Sequence, residues 1–211
     1  MIAPSRHHPI FVLAVLGCCA AILAGCHATV SPLANERLDR TTGMTLLTAD
    51  EPMVFARTEG RYSRSARDYV YLGPVETNRQ GNRDYYLWVG VGTTLDRGYL
   101  APETEAPETL FVDVQGELME FKLKPWSERS PNLGSTPLYS TAVDAETQLA
   151  ARVTLHQLAL LSSEALEAVR VADADGKTRL YRRWQGAESW HGFLQQTLAP
   201  EPVAIGQTRA R

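Results

Sequence analysis

No cysteine occurs after residue 26. All three, Cys18, Cys19 and Cys26, fall in the stretch LGCCAAILAGCHATVSP, and the 185 positions after Cys26 use none. A domain built from those positions has no thiol nucleophile, no disulfide and no thiolate metal site, which excludes thiol catalysis and redox chemistry. Histidine is nearly as scarce: past residue 25 there are only His27, His156 and His191, and no two stand at the spacing of metal ligands. A basic excess is missing too. The chain carries 21 Lys and Arg against 24 Asp and Glu, a formal net charge of −3, and nothing in that balance suggests a nucleic-acid binder. Arg outnumbers Lys 18 to 3, a bias that a GC-rich genome produces without functional cause. No internal repeat is visible, and the longest apolar or small-residue run, 10–25, is 16 residues.

That run is what the sequence offers first. Residues 1–9, MIAPSRHHP, hold one Arg, two His and no acid, and IFVLAVLGCCAAILAG follows. A weakly positive segment, a short apolar one and then small residues form the layout of a secretory signal peptide. At 1.5 Å per residue the run makes about 24 Å of helix against a bilayer core of about 30 Å, too short for a comfortable permanent span. No twin Arg is present, which favours the general secretory route. The end of the run, Leu23-Ala24-Gly25-Cys26, resembles the lipobox of bacterial lipoproteins: an aliphatic residue, two small ones and an obligatory Cys. The resemblance implies diacylation of the Cys26 thiol, cleavage before it and acylation of the new amino terminus. Cys18 and Cys19 would leave with residues 1–25. Each buried acyl CH₂ is worth about 0.8 kcal/mol and stable anchoring needs more than one chain, so three suffice. His27 stands where an Asp retains enterobacterial lipoproteins in the inner membrane, which points to the outer membrane.

Cleavage leaves residues 26–211. It removes Arg6 and no acid, so 20 basic residues face 24 acidic ones, a net charge of −4. Residues 26–43 read as a lipidated amino terminus and polar tether, 44–198 as one globular domain and 199–211 as a tail. Strand signals recur from residue 44: MTLLTA, PMVFART, RDYVYLGPVE, RDYYLWVGVGTT, TLFVDV, ELMEFKLK, EAVRVAD and TRLYRRW. The stretches APETEAPET and KPWSERSPNLGSTP read as surface loops. Helices are expected at 155–163, behind Thr154 as a cap, and at 187–197. The expectation is a β-rich α+β fold, an antiparallel sheet or sandwich of several hairpins with one or two peripheral helices.

Three turns set hairpins. A turn on Gln80-Gly81 pairs positions that sum to 161, so one face reads Val70 opposite Val91, Leu72 opposite Val89 and Pro74 opposite Leu87, an apolar core face. The other sets Tyr69 opposite Gly92, Tyr71 opposite Gly90, Gly73 opposite Trp88 and Val75 opposite Tyr86. Aromatic rings laid across cross-strand glycines restore lost packing, so the glycines of WVGVGTT belong to a strand rather than a phosphate loop. A second turn uses Gln115-Gly116. A third, on Asp175-Gly176, pairs positions that sum to 351 and puts Arg170 opposite Tyr181 for a cation–π contact.

The aromatic face, Tyr69, Tyr71, Tyr86 and Trp88, is the candidate binding surface, since flat rings suit a glycan or the apolar edge of a partner. The competing reading covers it with the C-terminal helix or a second sheet. Arg57, Arg61, Arg64 and Arg67 could contact phosphate head groups or an acidic partner, or form a solvated loop with Glu59 and Asp68 as counterions. DADGKT fails as a calcium loop: Lys177 takes the fifth ligand place and Trp184 the twelfth. No metal site or cofactor is expected. Ser162, His156 and Asp144 can be named as a triad, but no G-x-S-x-G elbow supports them. The reading is a non-enzymatic binding or assembly subunit of the envelope, lipid-anchored through Cys26, facing the periplasm from the outer membrane. Its partners would be the bilayer and an envelope protein or glycan. A periplasmic hydrolase acting on cell-wall material, with His156 or His191 as base, and a structural spacer remain as alternatives.

Overall fold

Two hairpins share one local device. In the computed structural model, which describes residues 34–40, 42–58, 65–94, 106–129, 138–186 and 188–198, the Gln80-Gly81 turn has positive φ at both residues, 54° and 89°. Gln115-Gly116 does the same at 55° and 86°. These are the mirror-image turns whose twist matches the flanking strands. Each Gly N–H donates to a side-chain oxygen three residues earlier, Gly81 to Asn78 and Gly116 to Asp113. The pattern Asn/Asp-x-Gln-Gly therefore fixes both turns by itself.

The strands are β1 (Ala34–Asp39), β2 (Met44–Ala49), β3 (Met53–Thr58), β4 (Arg67–Arg79), β5 (Asn82–Thr93), β6 (Thr109–Val114), β7 (Glu117–Lys122), β8 (Lys124–Pro125), β9 (Thr147–Val153), β10 (Ala168–Ala172) and β11 (Thr178–Gln185). Among the described residues three helices accompany them: α1 (Trp126–Arg129), α2 (Leu155–Leu161) and α3 (Glu188–Leu198). Every recorded ladder is antiparallel, in the order β7-β6-β10-β11-β3-β4-β5-β9-β8. β7 and β8 stand at opposite ends of that order, yet only Leu123 separates them in the chain. The sheet therefore curls round until it nearly closes, with a short seam where Lys124 faces Ala150 and Pro125 faces Leu149. The curl brings the two ends of the order together, while β1, paired with β2 alone, remains an edge strand. The fold is β-rich α+β, an almost closed antiparallel barrel with peripheral helices.

The 161 register is observed in full, from Asp68 opposite Thr93 to Arg79 opposite Asn82. Its apolar face points inward. Val70 and Leu72 continue into Phe55 and Met53 on β3, and Val89 and Leu87 into Leu149 and Ala151 on β9. Met53, Phe55, Val70, Leu72, Leu87 and Val89 are fully buried. These side chains belong to one continuous buried core. α2 starts where β9 leaves the barrel. Thr154 caps it by accepting from the Gln157 N–H, with Gln157 reaching back to the Thr154 N–H, and buried Leu158 and Leu161 join the core. α3 buries Trp190, Phe193, Leu194 and Thr197, an i, i+3, i+4, i+7 stripe, against β1, β2 and β4.

Four expectations need correction. Ala34–Asp39, assigned to the tether, is a strand paired along its length with β2. Thr147–Val153, read as no element, is a barrel stave. The start of KPWSERSPNLGSTP is the barrel seam and a helical turn, with Trp126 buried, rather than a surface loop. Finally, the third hairpin turns over three residues. Asp173 pairs with Lys177 across Ala174-Asp175-Gly176, with Gly176 at φ 76°, so positions sum to 350. Arg170 therefore faces Leu180, not Tyr181. The one-residue difference turns Tyr181 inward and leaves Arg170 exposed.

Candidate functional site

The outward face of β4 and β5 is the aromatic–glycine face, and it is roofed. The irregular segment 138–146 crosses it. Tyr139 is buried in the hollow over Gly73, where a Cβ would lie 2.8 Å from its phenol oxygen, and its hydroxyl donates to the Pro74 carbonyl. The main chain of Asp144 presses on Gly92, whose Cβ would stand 2.7 Å from the Asp144 carbonyl oxygen. In return the wall holds the roof: the Tyr71 hydroxyl accepts from the Val143 N–H at 3.2 Å. The glycines are needed because a chain segment, not solvent, occupies the space above them.

Cross-strand positions are as expected, but the rings fill different hollows. Trp88 stands opposite Gly73 yet leans along its own strand over Gly90, where a Cβ would lie 2.5 Å from the indole Cη2. Tyr139 takes the place over Gly73, its ring centroid 5.0 Å from that of Trp88. Tyr71 stacks on Tyr69 at 6.0 Å instead of covering Gly90, and Tyr86 meets Trp126 edge-on at 6.0 Å. Trp88 and Tyr71 are buried, while Tyr69 and Tyr86 are half-buried. The four rings are thus not an open platform. The cover over Trp88 and Tyr71 is neither the C-terminal helix nor a second sheet but a loop whose Tyr139 carries no signal in the sequence.

Where roof and wall diverge, a cleft of about 420 Å³ remains, lined by Trp88, Tyr139, Ser140, Thr141, Asp144, Ala145 and Gln148. Its polar groups converge. The Trp88 indole N–H donates to the Gln148 amide oxygen at 3.3 Å, and Asp144 stands exposed at the roof. Burial pushes the Tyr139 phenol well above its ordinary value, with a backbone hydrogen bond to Ala49 opposing. Burial also raises Tyr71, opposed by the Val143 N–H and reinforced by Tyr69 and Asp144. Both phenols are therefore neutral, able to donate as well as accept. An apolar floor with amide, hydroxyl and carboxylate groups on its walls suits a small polar ligand or a turn of peptide.

Of the four arginines, Arg61 and Arg64 lie outside the described residues. The other two do different jobs. Arg57 lies 3.6 Å from buried Asp68, which also accepts from the Thr93 hydroxyl at 2.8 Å, and its guanidinium sits 5.8 Å over the Tyr181 ring. The cation–π partner expected from Arg170 is thus supplied by Arg57. Arg67 covers the exposed Trp184 at 4.4 Å. Cys26 also lies outside the described residues.

His156 and His191 are exposed on α2 and α3, and neither lines the cleft. The Ser162 hydroxyl is engaged by the Ala159 carbonyl at 2.7 Å. Asp173, first residue of the rejected calcium loop, pairs with Arg179 at 3.0 Å. Among the described residues no group of three His, Cys, Asp or Glu could hold a metal ion, and no helix is long and apolar enough to cross a membrane. Compared with known protein families, curated proteins and solved structures, the chain has no match.

Proposed function

We propose that the chain is a lipid-anchored protein of a Gram-negative envelope, held by acylated Cys26 in the outer membrane and facing the periplasm. Its barrel acts as a non-enzymatic binding or assembly subunit. The lipobox Leu23-Ala24-Gly25-Cys26 supports the anchor. The roofed cleft carries the binding role. It sets the polar groups of Gln148, Ser140, Thr141 and Asp144 around the indole of Trp88 and the phenol of Tyr139. That is the chemistry for a glycan or for a segment of another envelope protein.

A photo-crosslinking side chain placed at Thr141 tests the role in native cells. An adduct of discrete mass is expected, and Asp144→Arg, which places a bulky cation at the cleft mouth, should abolish it. An adduct indifferent to Asp144→Arg, or none from a folded and anchored protein, overturns the reading.

A further inference from the structure

The described part of the chain has four tryptophans, and three are buried: Trp88, Trp126 and Trp190 are at most 5% exposed. Trp184 is 58% exposed. Strand alternation places it on the outward side of β11, at a register shift between Arg183 and Gln185. On the same outward side of β11 lie Arg182 and the exposed Leu180, and Arg170 flanks Leu180 from β10. Arg67 reaches over the Trp184 ring from β4. The surface alternates large apolar groups with guanidinium groups. Asp113 and Glu120 lie on the neighbouring staves, but Asp113 accepts the Gly116 N–H and Glu120 pairs with Lys122 at 2.8 Å.

This face adjoins the point where the amino-terminal segment enters the barrel. β2 and β3 run one after the other along β4, and β1 and β11 line up along their far side. β11 ends opposite Val54 and β1 begins opposite Ala49. Side chains knit that corner: Gln185 donates to Glu51 at 3.2 Å, and Asn35 donates to Asp50 at 2.9 Å. Cys26 is eight residues before Ala34. Eight residues span at most about 29 Å fully extended, so an anchor at Cys26 keeps this corner within that distance of the lipid.

We propose that the outward face of β11, with Trp184 as its wedge, seats the barrel on the anionic phospholipid surface in which Cys26 is anchored. The inference rests on the lipid-anchor reading and adds an orientation to it. Tryptophan partitions to the boundary between head groups and acyl chains, and guanidinium groups beside it meet phosphates. The mature chain is acidic overall, at −4, so a bilayer would accept it by its arginine-bearing side.

The test uses the lipidated chain in phosphatidylethanolamine–phosphatidylglycerol vesicles. Trp184 is expected to be quenched by brominated acyl chains and shielded severalfold from acrylamide. Trp184→Phe should remove both signals, leaving the three buried indoles as background. Arg170→Glu combined with Arg182→Glu should weaken bromine quenching while the protein still floats with the vesicles. A floating protein whose Trp184 is open to acrylamide and untouched by bromine overturns the seating and leaves the anchor intact. Failure to float overturns both. Trp184 shielded in whole envelopes but open on vesicles would assign the face to a protein and overturn the proposal.

Discussion

Gly73→Ala tests the roof most sharply, because one methyl group should dislodge a whole segment. An ideal Cβ at position 73 overlaps the Tyr139 ring and lies 2.8 Å from its oxygen. The ring has little room to yield. It is 4% exposed, its hydroxyl holds the Pro74 carbonyl, and Trp88 lies against it at 5.0 Å. Overpacking of this kind costs about 1–3 kcal/mol. Tyr139→Ala removes a buried ring and should cost about 3–5 kcal/mol. In that background the methyl added at position 73 has space, and Ala recovers about 0.5–1 kcal/mol over Gly within the strand. The double variant should then be no less stable than Tyr139→Ala alone. Urea unfolding of all four proteins gives the coupling, expected at about 1–3 kcal/mol, against the roughly 0.3–0.5 kcal/mol scatter of independent sites. Additive costs, or a Gly73→Ala protein more stable than the parent, would mean Tyr139 does not sit over Gly73.

Other consequences are as direct. Tyr139, Tyr71 and Tyr181 all have raised phenol pKa values. The fold therefore keeps their protons better than the unfolded chain does, so their contribution is complete below pH about 10 and falls as pH rises through the folded values. Melting temperature should drop above pH about 10, less steeply in Tyr139→Phe, and a flat profile would contradict the burial. Asp68→Ala strips the partner of Arg57 and the acceptor of Thr93 and should cost about 1–3 kcal/mol in urea. Arg57 is about a third exposed and screened, so a loss near the top of the buried-pair range would be unexpected. Thr154→Ala removes the α2 cap and should cost about 0.5–2 kcal/mol, and an unchanged midpoint would dismiss the capping box.

What the sequence carried and what it hid divide along physical lines. β4 and β5 were legible to the residue because β-branched and aromatic side chains alternate on both sides of a turn that glycine dictates. β9 alternates too, with Leu149, Ala151 and Val153 inward. Its other face is Gln148, Ala150 and Arg152, which have little strand preference, and the neighbours supply what it lacks. β1 has no apolar face: only Ala34 is buried, and backbone pairing to β2, with α3 packed against it, makes it a strand. The third hairpin shows how thin the margin is, since one extra loop residue exchanged the roles of Arg170 and Arg57 at Tyr181. The candidate site was half legible. Glycines facing aromatics announced a close approach, but the approaching group, Tyr139, comes from a Pro- and Ser-rich stretch with no periodic signal.

Mass spectrometry of the amino-terminal peptide, from protein extracted from its own cell membranes, tests the central claim most directly. The account predicts a chain that begins at Cys26 and carries a diacylglyceryl thioether and an amide-linked acyl group, with residues 1–25 gone. A membrane-extracted chain that retains residues 1–25, or one cut elsewhere with an unmodified Cys26, would contradict it.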